Sequence, residues 1–455
     1  MFKFILKRVL FFIPTWLAIS VVVFQLSQCT SGDPVAGFLQ NDVEKGNSND
    51  ELYEQTARKL GYDRPSFYVS ITSKAHPDTL YKTLRKDQRI ALESLINQYG
   101  NWDQINAFHH SIKAFLLKIE ENTEGVKLNN NLQQLLIQSE LDKIRFYLEN
   151  LKKIPLPQGL QANEVEKITN SFENIINNPT RSLLFIPKIT FNGFNNRYHG
   201  WLMRFVKGDF GMSLRDDLPV SKKISNPLSI TLLMSLFAII LSYLIAIPLG
   251  IYAASKQGTR IERWLTRSIF ALYSVPTFWI ATLAIVFLTT PQYGIKIFPS
   301  AGMADLTPDA SFWTWIGANL GKLILPILCM SIHLTMVLTR HLQSNMVETL
   351  QAEYIRTAKA KGTPYRLILI KHAFQNALFP LITLFGQLLP TLITGSFIVE
   401  FIFNIPSMGW TVFEAISNRD WTVVYAVVML ASLMILIGSL LTDILYKKMN
   451  PRVQL

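Results

Sequence analysis

Six stretches of this chain, residues 9–27, 228–254, 269–290, 323–342, 377–403 and 423–446, each run for nineteen residues or more with at most one charged side chain. A bilayer's hydrocarbon core, about 30 Å thick, is crossed by a helix of roughly 20 apolar residues. Inside it every backbone N–H and C=O must be paired within the segment, which selects the α-helix. The expected fold is therefore an all-α membrane protein with six transmembrane helices. Only 17% of the 455 residues are charged, against about 25% in a soluble chain.

Lysine and arginine orient the spans, because short cytoplasmic segments near span ends are enriched in them. Segments 1–8, 255–268, 340–376 and 447–455 hold sixteen, whereas the short segments 291–321 and 404–421 hold only Lys296 and Arg419. Both termini are thus expected in the cytoplasm. The net charge of +12 raises a nucleic-acid reading, but the basic residues cluster beside apolar runs and form no continuous patch, so nucleic acid is not an expected partner. Lys3, Lys7 and Arg8, ahead of an apolar run ending in Leu26, Ser27, Gln28 and Cys29, imitate a secretory or lipoprotein signal. The run exceeds the roughly 7–15 residues of a signal core and Gln28 stands where a small residue belongs, so we read an uncleaved helix.

Residues 30–227 form a long polar stretch that this orientation places outside the cytoplasm, and long loops translocate largely regardless of their charge. Trp102, Ile105, Phe108, Ile112, Phe115, Leu116 and Ile119 follow helical spacing, as do Leu132, Leu135, Leu141, Ile144, Leu148 and Leu151. A small helical domain is expected, broken by Pro155 and Pro157, with a later helix closing at Asn177, Asn178 and Pro179. His109 and His110 lie about 100° apart around their helix, so they share no metal and read as surface residues. Cys29 and Cys329, each in or beside an apolar segment, make no disulfide framework. Nor does the sequence hold a phosphate loop, a zinc-binding His-Glu-x-x-His or a Gly-x-Ser-x-Gly nucleophile turn. Catalytic, cofactor-binding and metal-binding residues are therefore not expected.

The most informative segment is the cytoplasmic loop 348–379. Its Ala-, Lys- and Arg-rich run from Glu353 favours helix as far as Lys361. Gly362 suits the left-handed terminating position, and Thr363 with Pro364 reads as the cap and first residue of a second helix. Small residues at Ala358, Ala360 and Gly362 let another protein approach closely, and the basic residues offer donors. Physics alone leaves two readings open: a bend that docks on a partner, or a basic helix lying on anionic lipid.

The run from Glu353 to Gly362, with Lys371-His372-Ala373-Phe374-Gln375-Asn376-Ala377-Leu378-Phe379-Pro380, resembles the signature loop of binding-protein-dependent ABC permeases, in the variant of the dipeptide/oligopeptide/nickel subfamily. Arg356 stands where the general permease pattern has Glu, a substitution usual in the peptide subfamily. Further matches are Gly32-Asp33-Pro34, Leu60-Gly61-Tyr62-Asp63-Arg64-Pro65, Gly208-Asp209-Phe210-Gly211-Met212-Ser213, Ser274-Val275-Pro276-Thr277-Phe278-Trp279, Val399-Glu400 through Pro406-Ser407-Met408-Gly409, and Asn450-Pro451-Arg452. Their order is that of the B-type subunit. The departure is extra sequence from about 71 to 196, where relatives join Pro65 to Tyr198 by a few residues.

This resemblance implies a type I permease in a bacterial cytoplasmic (inner) membrane, importing di- or oligopeptides, or alternatively nickel or another small solute. It implies a division into 1–30 as first span, 31–225 as extracytoplasmic region with the inserted domain at about 72–196, and 226–455 as permease core with a coupling loop at about 348–376. The implied partners are a C-type permease subunit, cytoplasmic ABC ATPase subunits that bind ATP and Mg, an extracytoplasmic solute-binding protein and membrane lipid. Glu353, Arg356, Thr357, Ala358, Lys359 and Gly362 are the residues it assigns to coupling.

Two intramembrane residues are candidates for the translocation path or its gate. Glu400, near the outer end of the fifth span, either meets solute or anchors the turn containing Pro406 and Gly409; its closeness to an interface favours anchoring. His333 either faces a pore or makes a contact between helices. Asp443 and Lys447 have the spacing of a helical ion pair, and Pro248, Pro276, Pro326 and Pro390 fall within spans, where bends are tolerated. A secondary transporter or channel, the competing reading, needs more intramembrane charge than this chain carries.

Overall fold

The computed structural model describes residues 2–29, 33, 35, 36, 39, 50–119, 123–155, 162–304 and 311–449. Gly32, Pro34, Pro157, Asn450, Pro451 and Arg452 lie outside these residues. The chain divides into two compact units, Met1–Thr30 with Gly208–Leu455, and Ser31–Lys207.

In the first unit five helical segments among the described residues are long and apolar enough to cross a membrane: Ile5–Cys29, Val220–Ser255, Trp313–Leu350, Phe379–Ile402 and Trp421–Lys448. A sixth is the pair Arg260–Ser274 and Thr277–Thr289, bent by 91°. The expected third span is therefore not one straight helix. Proline disfavours the α region for the residue before it; Val275 accordingly has ψ 123° and Pro276 itself ψ 139°. Pro248 and Pro326, in contrast, sit inside continuous helices. The fifth span is also interrupted, running as Phe379–Leu388, Thr391–Thr394 and Phe397–Ile402.

Small and hydroxyl-bearing residues set how closely the helices approach, as expected where hydrocarbon offers no hydrophobic force between them. A Cβ added at Gly386 or Gly438 would strike the other's backbone, so the fifth and last spans touch main chain to main chain there. Ser242 donates to the Ser331 carbonyl at 3.1 Å, and the Tyr243 hydroxyl to that of Leu381 at 2.6 Å. Asp443 meets Arg8 of the first helix, Nε to Oδ2 at 3.1 Å, a partner that spacing along its own helix could not reveal.

In the second unit the helices Lys86–Tyr99, Trp102–Leu116, Thr123–Ile137, Leu141–Lys153 and Ala162–Asn177 share one core. Ile105, Phe108, Ile112, Phe115, Leu132 and Leu151 are buried there, as their spacing predicts, while Trp102 and Leu116 pack at its margin. The chain is mostly helical rather than all-α, because strands Val69–Ser73 and Pro187–Phe191 pair antiparallel on either side of this bundle. Beyond the strands the two flanks meet: the Arg197 and Tyr198 amides donate to the carbonyls of Pro65 and Ser66, and the Arg197 guanidinium lies 3.8 Å above the Tyr62 ring.

His110 is exposed, but the expectation that His109 is a surface residue is corrected: only 9% of it is accessible, and its Nε2 is buried without a hydrogen-bond partner among the described residues. The i−4 and i+3 neighbours Ile105 and Ile112 carry that helical stripe into the core and take His109 with them. Burial, with smaller contributions from the charges of Lys113 and His110, lowers its pKa from 6.5 to about 4. The unfolded chain therefore binds more protons than the folded one between those values, and stability falls as pH drops through that window. Acidification to pH 4 is expected to cost the bundle about 3 kcal/mol. In the full chain, hydrogen exchange of Trp102–Leu116, corrected for intrinsic rates, should accelerate on acidification, and His109→Leu should abolish that acceleration.

Candidate functional site

The long helix Phe312–Leu350 ends at Gln351, and Ala352, extended at ψ 148°, starts a new helix, Glu353–Ala360. Its one fully buried side chain is Ile355, which packs with Leu342, Met346, Ile368, Leu369 and Ala373. Glu353, Arg356, Thr357 and Lys359 are exposed. Arg356 and Glu353 pair at 3.3 Å, yet both are so exposed that the pair adds little stability. Ala358 is half-buried against the chain's own core.

The helix stops in a Schellman arrangement, with the Gly362 amide donating to the Lys359 carbonyl at 3.0 Å and the Thr363 amide to that of Ala358 at 3.2 Å. Gly362 has φ 75°, a left-handed conformation that only glycine adopts without cost, and a Cβ there would meet nothing within 4 Å. Its surroundings are open, so conformation rather than packing within the chain requires glycine. Pro364, extended at ψ 135°, holds the cap position expected of Thr363, and Tyr365–Leu367 begins the next helix. That helix widens into a π turn at Ile368–Ala373, a local underwinding often found at functional sites.

Two tyrosines that sequence reasoning passed over fix this bend. The Asn376 side-chain amide donates to the Tyr354 hydroxyl at 3.0 Å, and the Tyr365 hydroxyl donates to the Ser255 carbonyl at the end of the second span, 3.4 Å away. Their only signal in sequence is an aromatic residue on each side of Gly362 in a polar loop.

Glu400 is fully buried. Its carboxylate accepts from the Ser396 amide at 3.1 Å and from the Gly409 amide at 2.9 Å, bridging the break in the fifth span to the start of helix Met408–Ser417. A Cβ on Gly409 would strike that carboxylate and the Phe397 backbone. His333 is half-buried and stacks on Tyr273, ring centroids 4.7 Å apart. The structure does not gather these residues into one site: the helix Glu353–Ala360 packs in one apolar cluster, and the neighbours of Glu400, Val399 and Phe403, in another. Among the described residues no group of three His, Cys, Asp or Glu is placed to hold a metal.

The two glycines separate strain from space. Gly362→Ala should cost about 1 kcal/mol, the strain of a left-handed alanine, whereas Gly409→Ala should cost about 2–3 kcal/mol through overpacking against Glu400. Thermal unfolding of the detergent-purified chain would rank them, and equal losses would refute the distinction.

Residues 246–455 match the family described as binding-protein-dependent transport system inner membrane component. The chain is 35% identical over 259 residues to the oligopeptide transport system permease protein AppB of Bacillus subtilis, a match covering 57% of this chain and 80% of that protein. It is also similar to the dipeptide transport system permease protein DppB of Haemophilus influenzae, 33% identical over 267 residues (55% of this chain, 78% of that protein), and to DppB of Escherichia coli, 30% over 273 residues (57% and 80%).

Proposed function

Because this chain belongs to the binding-protein-dependent transport system inner membrane component family, we propose that it is the B-type permease through which an importer passes di- or oligopeptides. It is a multi-pass, non-catalytic permease subunit of the inner membrane, and such a component implies ATPase and binding-protein partners. The peptide class follows the relatives AppB and DppB, permease proteins of an oligopeptide and a dipeptide transport system. In this reading it is a type I permease with six spans and both termini in the cytoplasm. A C-type subunit lies beside it, ATP and Mg are held by the ATPases, and lipid surrounds the spans. The region of about 72–196 is an extracytoplasmic insertion between the first span (1–30) and the core (226–455).

The observation that carries this reading is the helix Glu353–Ala360, anchored from beneath by Ile355 and open above at Gly362. Glu353, Arg356, Thr357 and Lys359 offer polar contacts to a groove on an ATPase, and Gly362 lets the groove's wall approach the main chain. A push on this helix reaches the spans through Ile355, since Leu342 belongs to the fourth span and Ala373 and Ala377 lead into the fifth. Only an element held tightly by both assemblies can bias the equilibrium of each. Glu400 then serves the spans by closing the polar groups of a helix break, and His333 with Tyr273 joins two helices beside the path.

Gly362→Arg fills the open approach with a bulky cation. In proteoliposomes of the complete importer, solute-stimulated ATP hydrolysis should fall about tenfold or more while the chain remains inserted. Unchanged coupling would reject the assignment.

A further inference from the structure

Asp420 is 1% exposed and carries an ion pair far from the coupling helix in the sequence. Its Oδ2 accepts from the Ser213 hydroxyl at 2.6 Å and from Lys223 Nζ at 3.0 Å, and its Oδ1 accepts from the Leu214 amide at 3.1 Å. Lys223 also donates to Asp216 at 2.9 Å and to Ser213 at 3.1 Å. Around the rim, Arg215 pairs with Glu414. These contacts join the hairpin-like loop before the second span, closed by the Met212 and Pro219 bridge, to the junction between helix Met408–Ser417 and the last span.

Both sides of the junction hold non-glycine residues in the left-handed region. Asp217 has φ 53° and Arg419 has φ 57°. Arg419 occupies the position after a helix where glycine is usual: its amide donates to the Ile416 carbonyl and the Asp420 amide to that of Ala415, which aims Asp420 at the loop. Such conformations persist only where surrounding contacts over-determine them.

A buried ion pair is a poor way to weld two elements permanently, since apolar packing of the same volume stabilises as well or better. It is a good way to join surfaces that separate, because charged groups regain water when parted and apolar ones do not. Lys223 keeps 16% of its side chain accessible and Arg215 and Glu414 are half-exposed, so water already borders the seam.

We infer that the Lys223–Asp420 junction is a latch that holds the extracytoplasmic end of this permease shut and parts during each transport cycle. This rests on the importer reading and on its outward placement of loops 208–219 and 404–420. Separation exposes Asp420, Lys223 and Ser213 to water and relieves the constraint on Arg419; reclosure restores the three contacts to the carboxylate.

The test spares the buried groups. Arg215→Cys and Glu414→Cys are combined in a chain carrying Cys29→Ser and Cys329→Ala, assembled with its partners in proteoliposomes. A short, reducible bifunctional thiol reagent then tethers the two loops. Uptake should fall about tenfold or more on tethering and recover on reduction, while the single-cysteine controls stay within about twofold. Uptake that survives the tether makes the junction a static brace and overturns the latch.

A second arm weakens the pair by Asp420→Asn, which should raise ATP hydrolysis without binding protein by about threefold or more as the open state gains population; an unchanged rate in a stably inserted chain also overturns the proposal. An impermeant maleimide applied to the Arg215→Cys chain separates the two premises. Labelling from the cytoplasmic face alone would overturn the topological reading and the latch with it, whereas outside labelling with undiminished tethered uptake overturns the latch only.

Discussion

A chain in hydrocarbon must satisfy its own backbone, and two departures from regular helix here show how it is done. At the break in the fifth span the Ser396 amide, and nearby the Gly409 amide, find the two oxygens of Glu400. That side chain accepts from two main-chain donors, so an ionisable residue sits in an apolar environment without standing alone. The bend at Val275 and Pro276 solves the same problem differently, because proline brings no N–H to satisfy. Breaks are therefore placed where the chain can close them, and the uninterrupted helices Val220–Ser255 and Phe312–Leu350 supply the frame.

On that frame the helix Glu353–Ala360, to which we assign coupling, is held by several contacts at once. Ile355 fixes it from below, the Tyr354 hydroxyl ties it to Asn376, the Tyr365 hydroxyl ties the helix that follows to Ser255, and a Schellman turn at Gly362 ends it. The proposed coupling role requires such anchoring, because a compliant connector would absorb the displacement it is meant to pass on.

The sequence made some of this plain and concealed the rest for physical reasons. Uncharged runs located the spans, since exclusion of charge is a property of the segment itself. The helix end at Gly362 was legible because a terminating glycine acts locally. Helical spacing found the core residues Ile105, Phe108, Ile112 and Phe115, and His109 lies on that same stripe, its polar ring masking what the spacing already implied. Contacts between distant positions were out of reach: Arg8 with Asp443, Ser213 with Asp420, and Tyr243 with the Leu381 carbonyl each join residues more than a hundred positions apart. The strands Val69–Ser73 and Pro187–Phe191 were missed for the same reason: both alternate apolar and polar residues, but each is only five residues long and its partner lies more than a hundred positions away.

That pair of strands governs what the bundle can become. Ser73 stands opposite Pro187 in the ribbon, so the chain enters and leaves the helical bundle at points about 5 Å apart. A module whose two ends are neighbours is a cassette: it can be enlarged, exchanged or removed in evolution without altering the distance its flanks must span.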